Sequence, residues 1–184
     1  MKFFIDAEFW ERPGHPIELI SLGVVSGIGT ELYVINGDFD WDRQELKEDP
    51  SGRWLLEHVE PHIDDVCGIV STPEEVGKLL AKFVMREVPG EEVEFWGYCS
   101  AYDWVVLCQL YGRLVDLPKG FPNYCNDLKQ LLFQLGESAL PSLPEKPGEH
   151  CSILDARWNR ESWIALMQFA TRNIIEVGEA RRDV

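Results

Sequence analysis

Basic residues are scarce in this 184-residue chain: Lys and Arg total 17 against 32 Asp and Glu, a formal charge of −15. A protein that grips long duplex nucleic acid carries a basic face, and this composition speaks against one. Nucleic acid fits only as a short single-stranded end, held by metal ions, local Lys or Arg, and aromatic side chains. No run of eighteen apolar residues occurs, so no membrane span is expected. Nor does a basic segment lead into a longer apolar stretch and a small-residue cleavage site, so no secretory signal is expected. The five cysteines (67, 99, 108, 125 and 151) are odd in number and form no Cys-x-x-Cys pair. That argues against a disulfide framework and against a structural zinc site. Free thiols fit a reducing, cytoplasmic location. Gly-x-Ser-x-Gly and glycine-rich phosphate loops are both missing, which removes support for serine hydrolysis and for a phosphate cradle. Internal repeats and low-complexity tracts are missing too.

What is present describes one folded domain over residues 1–184. The apolar fraction is 45% and the aromatic fraction 11%, enough for a real core at this length. Phe3-Phe4-Ile5-Asp6-Ala7-Glu8-Phe9 reads as a buried strand. Residues 17–25 read as a second strand, Ser26-Gly27-Ile28-Gly29 as a hairpin turn, and Glu31–Ile35 as a third strand. An antiparallel meander is expected. Residues 36–50 read as an acidic loop with two aromatic anchors. Its Asp38-Phe39-Asp40-Trp41-Asp42 run is no calcium loop, because Arg43 stands at the sixth position and Asp49 at the twelfth.

A short helix is expected over 51–58. A clearer one starts at Thr72 as N-cap, with Pro73 next and Glu75 completing a capping box. Val76, Leu79, Leu80, Phe83 and Val84 follow helical spacing, and Pro89-Gly90 ends the run. Residues 92–97 read as a strand, and helices are expected over 102–112, 126–135 and 153–175. Pro141, Pro144, Pro147 and Gly148 mark 137–149 as an irregular loop. The order βββ-α-β-α-α-α gives an α/β domain with a mixed sheet flanked by helices.

Asp6 and Glu8 are the first chemical signal. Residues i and i+2 of a strand point to one face, so two carboxylates project side by side from an apolar element. Burial and mutual repulsion raise the pKa of such a pair. A hard divalent cation removes the conflict, because it seeks oxygen ligands. Two solvated acids at a strand end would be the bland alternative. Asp103 stands at a strand-to-helix transition, where α/β sites tend to lie; complementing a helix dipole is its other reading. His150 follows the proline-rich loop. Asp155 falls in the first turn of the last helix, where Ser152 as cap and Asp155 as box partner is the structural alternative.

Asp-x-Glu on a first strand, Asp after a mid-chain strand, and His-x4-Asp entering the last helix together resemble the DEDDh family of 3′-5′ exonucleases. The matching order runs from residue 3 to about 165. Phe4–Phe9, Ile17–Val25, Ala101-Tyr102-Asp103 and Leu107–Leu110 look like the small polyadenylate-specific exoribonuclease branch of that family, the RNase AS-like enzymes. The resemblance implies a ribonuclease-H-like fold and trimming of single-stranded RNA from its 3′ end. It further implies preference for adenosine-rich tails, release of nucleoside 5′-monophosphates, and a homodimer.

Phosphodiester hydrolysis with two Mg²⁺ or Mn²⁺ ions fits these residues. Asp6 is assigned the bridging role, Glu8 and Asp155 the ion that holds the attacking water, and Asp103 the second ion. His150 is assigned the proton from that water, since an unperturbed imidazole titrates near 6.5. Phe9, Glu18 and Trp104 are the candidate substrate contacts, with core packing as the alternative for both aromatics and a rim acid for Glu18. Ser21 shares the status of Glu18, and His58 and His62 read as structural. A DNA exonuclease, an oligoribonuclease and a silent module that binds RNA ends are the rival readings.

Overall fold

The computed structural model describes residues 1–88, 92–146 and 150–180, with 174–180 as backbone only. Six strands of the described residues form one mixed sheet: β1 (Lys2–Trp10), β2 (Glu18–Ser26), β3 (Glu31–Asn36), β4 (Ile69–Ser71), β5 (Glu94–Gly97) and β6 (Asn126–Asp127). Their spatial order is β4-β3-β2-β1-β5-β6. The first three make the expected meander, β1 against β2 and β2 against β3 antiparallel. The other three join in parallel. The Ser26–Gly29 turn closes by a Gly29 N–H to Ser26 carbonyl bond of 2.9 Å, with Gly29 at φ 93°.

Among the described residues, six α-helices accompany the sheet: α1 (Gln44–Glu48), α2 (Pro50–His58), α3 (Pro73–Glu87), α4 (Ala101–Gln109), α5 (Leu128–Leu135) and α6 (Ser152–Ala180). One face of β1 sends Phe3, Ile5 and Ala7 into a core shared with Val76, Leu80, Phe83 and Val84 of α3 and Val106 and Leu107 of α4. The other face is crossed by α6, where Phe4 meets Trp163 at 6.0 Å between ring centroids. At the far end of β1, Trp10 and Ile20 pack with Phe39, Leu46 and Leu55 in a smaller cluster.

Four local readings change. The acidic loop over 36–50 contains α1, because fully buried Leu46 gives it an anchor. Strands β4 and β6 were not expected, being three and two residues long and largely polar or exposed. Asn126 and Asp127 extend the sheet rather than begin a helix, and Asp127 caps α5 by accepting from the N–H groups of Lys129 and Gln130. The capping box at Thr72 does not form; Glu75 accepts from Ser71 Oγ at 2.9 Å instead. The Pro89-Gly90 stop and the Pro147-Gly148 end of the expected loop lie outside the described residues. All five cysteines are free thiols. Among the described residues, no helix is long and apolar enough to cross a membrane.

Candidate active site

Strand alternation puts Asp6 and Glu8 on the face of β1 that α6 crosses. Asp155 comes to them from the first turn of α6. Asp6, Glu8 and Asp155 each offer a carboxylate oxygen, and these oxygens lie within 4.8 Å of one another. The separation in sequence is large, so something must bring the start of α6 down onto β1 and β2.

Gly23 provides the approach. It lies opposite Asp6 in the β1–β2 ladder. A Cβ at this position would stand 2.2 Å from the Ser152 carbonyl oxygen and 2.5 Å from the Ile153 nitrogen. The helix backbone therefore rests on a strand that has no side chain there. Two polar contacts lock the approach: Ser21 Oγ with Ser152 Oγ at 2.9 Å, and Asn159 Nδ2 donating to the Ile5 carbonyl at 2.9 Å. Both are buried, where a lost partner is costly. Ser152 is thus a helix residue bonded to Ser21 rather than a cap, and Ser21 is a buried anchor rather than a rim residue. Asp155 Oδ2 accepts from the His150 backbone N–H at 3.3 Å.

Asp103 arrives by another route. Strand β5 pairs with β1 over Lys2–Phe4, so among the described residues the Asp6-Ala7-Glu8 stretch has no strand beside it on that side. The chain turns away at Gly97, where a Cβ would meet Ser100 Cβ at 2.6 Å, passes Cys99 at φ 58°, and enters α4. Asp103 Oδ1 then accepts from the Ala7 N–H at 2.8 Å. One carboxylate fills the ladder position that β5 leaves open. Asp103 stands at the rim of the three-acid group rather than within it, with its charge felt by both Asp6 and Glu8.

Crowding is written into the protonation of these acids. Burial, followed by the charges of Asp103, Glu8 and Asp155, lifts Asp6 well above the ordinary carboxylate range. Burial and then Asp155 and Asp103 push Glu8 up to about 7. Burial raises Asp103 to about 6 against the opposing pull of the Ala7 N–H. Lys146, with Nζ 2.9 Å from Asp155 Oδ1, lowers Asp6 and Glu8 but does not cancel the excess. A cluster of oxygen donors short of positive charge suits a hard divalent cation.

The remaining expected site residues divide. His150 sits at φ 70°; its ring packs edge-on against Trp54 at 4.7 Å and lies 6.1 Å from His58. Phe9 follows a register shift in β1 and stacks on Tyr102 at 6.1 Å and 15°. Tyr102 is 48% exposed, so this pair has an open aromatic face. Trp104 is core: it is buried and packs on Phe95 at 5.4 Å. The carboxylate of Glu18 is already engaged. It accepts from Arg43 at 2.6 and 2.8 Å and from Arg12 at 3.2 Å. Both guanidinium groups lie over the Trp10 ring, at 4.2 and 5.2 Å. Lys146 and Trp54 escaped sequence reading, since neither belongs to a periodic pattern or a spaced motif. His58, read as structural, stacks on Trp54 at 4.8 Å.

No family model matches the chain. Among solved structures, Pop2p of S. pombe in a Mg²⁺- and Mn²⁺-bound form superposes with a TM-score of 0.55 at 16% identity, covering 88% of this chain and 81% of Pop2p. At that identity the likeness speaks for the fold, a ribonuclease-H-like mixed sheet flanked by helices. Two curated proteins, from two strains of Mycobacterium tuberculosis and both named 3′-5′ exoribonuclease, are each 34% identical over 158 residues. The alignment covers 85% of this chain and 88% of each relative. This chain belongs to the 3′-5′ exoribonuclease family.

Proposed function

We propose that this enzyme removes nucleoside 5′-monophosphates from the 3′ end of single-stranded RNA, with two divalent ions held by Asp6, Glu8, Asp103 and Asp155. The convergence of Asp6, Glu8 and Asp155 oxygens within 4.8 Å carries the reading. Asp6, Glu8 and Asp155 would hold one Mg²⁺ or Mn²⁺, and Asp6 with Asp103 a second. Bound there, the ions supply an acidified water and neutralise charge at the phosphoryl oxygens. A ring nitrogen of His150 takes the proton of the attacking water. The left-handed backbone at His150 and its N–H bond to Asp155 support that role, since they tie the residue to the acid pocket. His150→Ala should lower kcat by about 10²- to 10⁴-fold, the usual range for a general base, with Mn²⁺ uptake retained.

The exposed face of the Phe9–Tyr102 pair is the stacking surface for a terminal base, a contact worth about 1–3 kcal/mol and tolerant of sequence. The charge of −15 fits a short single-stranded substrate held at its end. Adenosine-rich 3′ tails, a homodimer and a cytoplasmic location complete the reading. The first two rest on the resemblance of residues 4–9, 17–25, 101–103 and 107–110 to the polyadenylate-specific branch; the location rests on the free thiols. Digestion of labelled poly(A), poly(U) and DNA of equal length, with Mg²⁺ or Mn²⁺ and with chelator, tests it. Metal-dependent release of AMP, fastest from poly(A), is expected. Equal rates on DNA would overturn RNA selectivity, and release in chelator would overturn the metal mechanism.

A further inference from the structure

We propose that Lys146 is a resident counter-cation of the acid pocket, one that stands against Asp155 in the metal-free enzyme and competes with the divalent ion for that ligand. The inference rests on the reading that these acids bind metal. Lys146 Nζ lies 2.9 Å from Asp155 Oδ1, with the Asp155 side chain 8% exposed and the Lys146 side chain 37% exposed. It therefore reaches from solvent to a buried carboxylate.

The reach is built in by α6 itself. Trp158, one turn beyond Asp155, donates its indole N–H to the Pro144 carbonyl at 3.0 Å and pins the segment that carries Lys146. The ammonium lies 5.8 Å from the Trp158 ring centroid, and Tyr98 backs that ring edge-on at 5.2 Å. The lysine stem is thus held beside the pocket, with its charged end facing Asp155.

Three carboxylates with oxygens within 4.8 Å of one another attract a cation. An ammonium supplies one unit of charge on a flexible stem. A divalent ion supplies two and bonds the oxygens directly. The divalent ion therefore wins Asp155, and the partly exposed ammonium returns to water at small cost. Lys146 lowers metal affinity.

The test is Mn²⁺ titration by calorimetry of the wild type, Lys146→Gln and Lys146→Arg, with thermal melts in chelator and in saturating Mn²⁺. Lys146→Gln should bind Mn²⁺ about tenfold more tightly, as expected for removing one charge beside a divalent ion near the surface. Its melting temperature should fall in chelator and match the wild type in Mn²⁺. Lys146→Arg should behave as the wild type. Equal or weaker Mn²⁺ affinity in Lys146→Gln, beside a wild type that binds, overturns this inference alone. A wild type that takes up no Mn²⁺ overturns the metal reading and this inference with it.

Discussion

The site has an early half and a late half, and they are built by different physics. Asp6 and Glu8 belong to β1, and strand periodicity alone places them on one face. Asp103 and Asp155 belong to helices that start at Ala101 and Ser152, far along the chain from β1, so the position of each depends on contacts made elsewhere. Both late acids follow a non-glycine residue in left-handed conformation, Cys99 before Asp103 and His150 before Asp155. Both are held to β1 or β2 by a close backbone approach: Gly97 for one and Gly23 for the other. The early half is written locally, and the late half is written in packing.

Four experiments break or sharpen that contrast. The largest effect is expected from Asp6→Asn and Asp155→Asn, which remove one carboxylate from each half. Both should bring nucleotide release below detection while circular dichroism and melting remain native-like. Activity kept in either variant would break the pairing of the halves. Gly23→Ala comes next, because it attacks the late half without touching a carboxylate. A methyl 2.2 Å from the Ser152 carbonyl must push the start of α6 away. Overpacking of this kind costs about 1–3 kcal/mol or more, and activity should fall with the displaced Asp155. An unchanged melting temperature would show that the helix has another seat.

Asn159→Ala should act more mildly. It leaves the buried Ile5 carbonyl without its donor, a loss of about 1–3 kcal/mol in denaturant unfolding, with the acids still in place and kcat close to the wild type. A large fall in kcat would mean that this bond sets the position of Asp155. The smallest effect is a pH dependence. Glu8 titrates near 7 in the folded chain against an ordinary 4.5. Between those values the folded state holds protons that the unfolded chain has released, so rising pH favours unfolding. In chelator, stability should decline from about pH 4.5 to 7. Saturating Mg²⁺ should remove the decline, since cation binding replaces the protons. A rise in chelator over that window would contradict the crowding of the acids.

This contrast also explains how much the sequence disclosed. The meander was legible because Phe3–Phe9, Ile17–Val25 and Glu31–Ile35 are apolar runs separated by strong turn residues. Helix α3 was legible because Val76, Leu80, Phe83 and Val84 repeat at helical spacing. Strand β4 was not, since Ile69 and Val70 are exposed and only three residues pair. The acids were legible as residue types in a spacing that resembles a known family. Their delivery was not: nothing near Gly23 announces that Ser152 will sit on it. Trp104 stayed between substrate contact and core packing because flanking Asp103 in sequence gives no side-chain direction on a helix; it turns inward to Phe95, while Tyr102 turns out toward Phe9. The engagement of Glu18 was not legible because its partner Arg43 lies 25 residues away.

The most direct measurement is the anomalous scattering of a crystal soaked in Mn²⁺. The account expects a peak within bonding distance of the Asp6, Glu8 and Asp155 carboxylates, with Lys146 drawn back from Asp155. An intact Lys146–Asp155 pair with no peak between those carboxylates, in a crystal that binds Mn²⁺ elsewhere or not at all, would contradict it.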